Sequence, residues 1–173
     1  MAERVVRAAR TRTIAYWVFT LVVAWEMIAG GFWDLLRIEY VRVVMTHLGY
    51  PLYVLSIIGA WKIPCGAALL APGFARLKEW AYAGAFFNYT GAVASHIAVG
   101  DRANHWLPPL IFAAFVLASW ALRAPERQLE ATLLEQAEGV GGTRVLRWIV
   151  PIGVLAAFAT IALATLPKGP PPQ

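Results

Sequence analysis

Charge and cysteine are what this sequence has least of. Only 14% of its 173 residues are Asp, Glu, Lys or Arg, and a single cysteine, Cys65, stands among them. One cysteine excludes an intrachain disulfide and any CxxC redox pair. Long polar stretches are also missing, which leaves no room for a second, water-soluble folded unit. The net charge of +5 does not mark a nucleic-acid surface, because the basic residues lie at the ends of apolar segments. No small-residue cleavage site follows the first apolar run, so it reads as a span and not as a signal peptide.

What is present in quantity is hydrocarbon. Hydrophobic residues make up 60% of the chain and its mean hydropathy is +0.59, outside the range of soluble domains. A bilayer span needs about 20 mostly apolar residues, and the chain offers such runs at 14–36, 52–71, 80–99, 107–122 and 148–166. The expected fold is an all-α integral membrane protein. A basic cytoplasmic tail (1–13) leads into an antiparallel four-helix transmembrane bundle (14–123). An amphipathic segment (124–147), a fifth transmembrane helix (148–166) and a disordered tail (167–173) follow. The link at 37–50 reads as a loop, and Pro108 and Pro109 as the first turn of the fourth helix. Basic residues outside the spans divide ten against four, which predicts a cytoplasmic N-terminus and, with five spans, an external C-terminus.

Two charges interrupt the apolar runs. Lys62 lies in IGAWKIPCG (58–66), and Glu26 lies in the preceding segment, before Gly30, Gly31, Trp33 and Asp34. An ammonium at bilayer depth costs roughly 2.5–3.5 kcal/mol on insertion scales and is rarely left alone. Each of the two is about ten residues from the same boundary, so at 1.5 Å per residue both sit roughly 15 Å deep. The expectation is that they pair, either as a register-fixing ion pair or as a site. Pro64 leaves the Ala60 carbonyl free beside the lysine. Trp25 and Trp61 adjoin the pair and are candidates to line a flat ligand pocket.

On the third segment Asn88, Gly91, Ala92, Ser95 and His96 recur at three- and four-residue spacing as one polar, small-residue face. His96 is a candidate proton carrier, Asn88 and Ser95 candidate ligand contacts, and Asp101 follows in the exit loop. His96, Asp101, His105 and His47 match no zinc spacing, so no metal is expected. Cys65 reads as a small apolar residue.

From LGYP through RLKEWAYAG to the S-H and GD that close the third segment, with W-x-PP after them, the chain resembles the DoxX-like family of small bacterial membrane proteins. The likeness covers about 14–123 and places Lys62, Asn88, Ser95, His96 and Asp101 at family-like positions; the extension after Arg123 departs from it. It implies a four-helix membrane bundle in a bacterial inner membrane. It also implies an association with redox or detoxifying proteins, since the family takes its name from a member associated with a thiosulfate:quinone oxidoreductase.

Three functions are compatible with these residues. The leading one is a protein that binds a lipophilic, quinone-like molecule or a lipid in the polar core. It has no intrinsic cofactor; the redox cofactor belongs to an oxidoreductase partner, and the chain can also assemble as a homo-oligomer. The second is a membrane acid–base enzyme for isomerisation, cyclisation or epoxide opening, with Glu26, Lys62 and His96 as catalytic residues. The third is an assembly subunit whose ion pair is purely structural.

Overall fold

A computed structural model describes residues 2–123. The expected amphipathic segment, fifth helix and tail (124–173) lie outside the described residues. Within them the chain is all-helical, in the order α1 (Ala2–Leu36), α2 (Glu39–His47), α3 (Tyr53–Leu70), α4 (Ala75–Ala98) and α5 (Ala103–Ala121). Helices α1 and α4 each pack against both α3 and α5. Two helices, Val6–Leu36 and Tyr53–Leu70, are long and apolar enough to cross a membrane.

Helix α1 is continuous through the stretch expected as a separate basic tail. Nothing in 2–13 breaks a helix, since the stretch contains neither Gly nor Pro. Its 35 residues reach about 52 Å at 1.5 Å per residue, well beyond a hydrocarbon core of roughly 30 Å. The helix stops where Arg37 takes a left-handed conformation (φ +49°). The link at 37–50 is not a plain loop, because most of it forms α2. The prolines of α5 also lie deeper than expected, since the helix starts at Ala103. There they cannot donate to the carbonyls of Asn104 and His105, which stay free.

Helices α1 and α3 cross at glycine. A Cβ on Gly59 would lie 2.6 Å from the Gly31 carbonyl oxygen, and one on Gly66 would lie 2.9 Å from that of Ala24. Two backbones can touch only where side chains are absent. The small-residue contact expected of α4 is not there: a Cβ on Gly91 would meet nothing within 4 Å.

The end of the bundle away from α2 is closed by apolar packing and saturated hydrogen bonds. Val23, Met27, Leu69, Tyr82, Ala85 and Val116 form the core. Ser119 joins three helices through Thr20 Oγ1 at 2.7 Å and Tyr82 OH at 2.8 Å. Lys78, read from the sequence as a topology charge, is buried, its ammonium donating to the Leu69 carbonyl at 2.8 Å. That carbonyl belongs to the last turn of α3, which has no intrahelical donor for it. Arg123, read the same way, is buried as well. It pairs with Glu79 at 2.6 Å and lies over the Tyr82 ring, while Arg12 caps its carbonyl at 2.9 Å.

Candidate functional site

The glycine crossing of α1 on α3 sets up the polar centre. Glu26, Gly30 and Asp34 stand at i, i+4 and i+8, so α1 presents an acid, a gap and a second acid along one stripe. Lys62 of α3 enters at the gap. Its ammonium lies 3.0 Å from Glu26 Oε1 and 3.5 Å from Asp34 Oδ2. A Cβ on Gly30 would stand 2.5 Å from the lysine nitrogen and 2.7 Å from the Glu26 oxygen, so this glycine makes the room that the ion pair fills. From α4, the Tyr89 hydroxyl donates to Glu26 Oε2. The side chains of Lys62 and Asp34 are about one-tenth exposed and that of Glu26 one-fifth.

Two carboxyls thus face one ammonium, and the cluster is neutral only when it holds one proton or a small cation. A buried charge without a partner is the costly state, of order several kcal/mol. The arrangement therefore tolerates a neutral guest far better than an anion.

Two spaces meet at this cluster. A groove of about 420 Å³ runs between α3 and α4 and is almost wholly apolar, with Lys62 and Asn88 at its inner end. Its rim residues Ile57, Trp61, Trp80 and Gly84 are exposed, so it opens on the lateral face. A second cavity of about 340 Å³ lies under α2 and is lined by Glu26, Asp34, Lys62, Asn88, Tyr89 and His96, with Asn104 and His105 toward its mouth. Lys62 and Asn88 border both spaces.

The residues singled out from the sequence separate into groups. Glu26, Lys62, Asn88 and His96 converge on the second cavity. Trp61 borders the groove instead. Trp25 does neither: it is 62% exposed and lies edge-on to Trp33, facing away from the core. Adjacent helical residues diverge by about 100°, so Trp25 cannot share the inward face of Glu26. Ser95 bonds Tyr50 OH at 2.9 Å and the Gly91 carbonyl at 2.8 Å, at the end of α4. Asp101 stands between two histidines, with His96 Nδ1 2.6 Å from Oδ2 and His47 Nε2 2.8 Å from Oδ1. The hydrogen bonds from His96, and then from His47, hold the Asp101 carboxyl below the ordinary carboxylate range. The His96 ring also stacks on that of His105 at 6.0 Å. Among the described residues, no group of three His, Cys, Asp or Glu side chains is placed to hold a metal ion.

Three participants were missed in the sequence reading. They are Asp34, which by position closes the first apolar run, Gly30 and Tyr89. The i, i+4, i+8 stripe and the Tyr89, Ala92, His96 spacing carry the signal for them.

The described residues are all-helical, two of the helices are long and apolar enough to cross a membrane, and a charged cluster lies between them, as in a helical membrane protein. The chain belongs to the DoxX-like family, whose model matches residues 18–119 and so takes in every residue of the cluster. No curated protein and no solved structure matches the chain.

Proposed function

We propose that this protein spans a bacterial inner membrane as an antiparallel four-helix bundle and binds a lipophilic small molecule with a neutral, oxygen-bearing head, quinone-like in character. In this reading the α2 end faces outward and the N-terminus is cytoplasmic, as the distribution of basic residues indicates. The observation that carries the reading is the position of Lys62 and Asn88 at the inner end of an apolar groove. A flat apolar body would lie between Trp61 and Trp80, with its head against the ammonium and the amide. The Lys62 ammonium and the Asn88 amide N–H offer donors to the guest there, while Glu26 and Asp34 line the other cavity and more than balance the lysine. A carbonyl oxygen suits such donors; a carboxylate would add a second uncompensated negative charge. Redox chemistry, where it occurs, belongs to an oxidoreductase partner.

The test is direct. Protein purified in native-lipid particles is extracted with organic solvent and the extract examined by mass spectrometry. A stoichiometric quinone or similar molecule is expected, and it should be depleted in Asn88→Leu at unchanged protein yield. Repeated extraction yielding bulk phospholipid alone would remove the proposal.

A second reading, acid–base catalysis, draws on one contact. Tyr89 donates to the oxygen of Glu26 that Lys62 does not hold, which fixes the carboxyl while leaving it beside the polar cavity. In that case Glu26→Gln keeps ligand binding but abolishes turnover. Under simple binding there is no turnover to lose, and Glu26→Gln changes ligand content little.

A further inference from the structure

The cluster borders two spaces, but the ligand reading uses only the apolar one. The second cavity is polar and has a different roof. Helix α2 covers it with Tyr40, Val41, Val44, Met45 and Leu48. Of the nine residues of α2 only Met45 is buried, so little apolar area holds the helix down. The chain takes a left-handed conformation just before it, at Arg37 (φ +49°), and just after it, at Gly49 (φ +77°), where a glycine turns freely. Polar bonds fasten its far end: His47 to Asp101 at 2.8 Å, and the adjoining Tyr50 to Ser95 at 2.9 Å. At the near end Arg37 donates to Ser56 Oγ at 2.9 Å. The Glu39–Arg42 ion pair lies within α2 and fastens it to nothing else.

From these features we propose that α2 is a lid over a water-filled compartment, and that His47–Asp101 is its latch. The cavity already has a mouth at the exposed Asn104 and His105, and opening the latch widens the access of the Glu26–Asp34–Lys62 cluster to the aqueous phase beside α2. The lipophilic guest uses the lateral groove and never passes this door. The proposal rests on the ligand reading only for that division of roles. The occupant of the second space is water, together with the proton that the cluster needs for neutrality. A cavity of about 340 Å³ has room for roughly ten waters at liquid density, and its charged and amide lining gives them partners. Asp101 is faced by His47 from α2, His96 from α4 and His105 from α5.

A cysteine at position 92, inside this cavity, reads the lid directly. In a Cys65→Ala background, Ala92→Cys is treated with a small membrane-impermeant methanethiosulfonate reagent, the full chain being held in nanodiscs. Slow modification is expected with the latch intact. Asp101→Asn or His47→Ala should speed it about two- to fivefold, the factor for losing one solvent-exposed ion pair. The unsubstituted chain, with only Cys65 in the groove, should stay unmodified by the same reagent. Hydrogen exchange on the unsubstituted protein supplies a second reading, with α2 amides exchanging faster than those of α3. Modification at one rate with and without the latch, or α2 amides as protected as those of α3, overturns the lid. Neither measurement contains the lipophilic ligand, so an empty organic extract would defeat the ligand reading and leave this one standing.

Discussion

Both ends of the helix assembly hold inward-facing polar groups and use them in opposite ways. At the Lys78 end each buried polar side chain has a partner. Ser119 satisfies Thr20 and Tyr82, Lys78 caps α3, and Arg123 is taken up by Glu79. At the α2 end Lys62 is shared between two acids, and two cavities reach the cluster. A saturated network specifies and rigidifies, because each group has one favourable arrangement. A network with one acid too many and open space beside it has something left to bind. The difference separates architecture from site more clearly than the mere presence of a buried charge, since both ends have a buried lysine.

The comparison is broken most severely by removing the shared cation. Lys62→Met leaves two carboxyls facing each other, and a loss of about 3–5 kcal/mol is expected for an unpaired buried charge. It would be seen as a collapse of thermal stability and yield in nanodiscs. Adding Glu26→Gln and Asp34→Asn to the same chain should restore most of the stability while leaving the ligand unbound. A structural ion pair alone would predict restored binding as well.

Next in size is the crossing. Gly59→Ala pushes a methyl group into the Gly31 carbonyl, which cannot move without shifting α1. A loss of roughly 1–3 kcal/mol follows for overpacking, together with weaker ligand retention. Gly30→Ala meets only the flexible end of Lys62 and the Glu26 carboxyl. It should therefore disturb the site more than the fold, a contrast that thermal melting and extraction read separately.

Ser119→Ala tests the closed end. It removes the partner that Thr20 and Tyr82 share, at about 0.5–1.5 kcal/mol, because Thr20 keeps its bond to the Tyr16 carbonyl. Ligand content should not change. A loss of ligand at unchanged stability would mean that the two ends are not separate in function.

The smallest effect concerns pH. Asp101 is held below its unfolded value by His96 and His47, so its contribution is fully present above the ordinary aspartate pKa near 3.9 and fades as pH falls through the lowered folded value. An acid titration of thermal stability should show a limb below about pH 4 that Asp101→Asn flattens. If the limb persists unchanged in that variant, carboxyls other than Asp101 produce it.

Much of this could be read before any coordinates existed. Glu26 and Lys62 were recognisable because charges inside apolar runs are expensive, and their equal depth followed from residue counts alone. Depth is not facing, however. Trp25 has the right depth and points outward, while Asp34 looks terminal and turns inward to join the lysine. Helix α2 was overlooked although Val41, Val44, Met45 and Leu48 follow an i, i+3, i+4, i+7 pattern. A short helix between two spans is easily passed over as linker. Lys78 and Arg123 carried a topology signal in the sequence and proved to be buried anchors, which the charge count alone could not distinguish.

The sequence by itself determined that the chain is helical, built for a bilayer, and burdened with an acid and a base at one level of it. Solvent sets those properties, and they follow from composition and period. Tertiary structure alone decided that a second acid and a tyrosine complete the cluster, that glycines bring α1 and α3 into contact, and that a lateral groove ends at the lysine. Those depend on how helices rotate about their own axes and on how closely they approach. Packing fixes both, and no single helix encodes them.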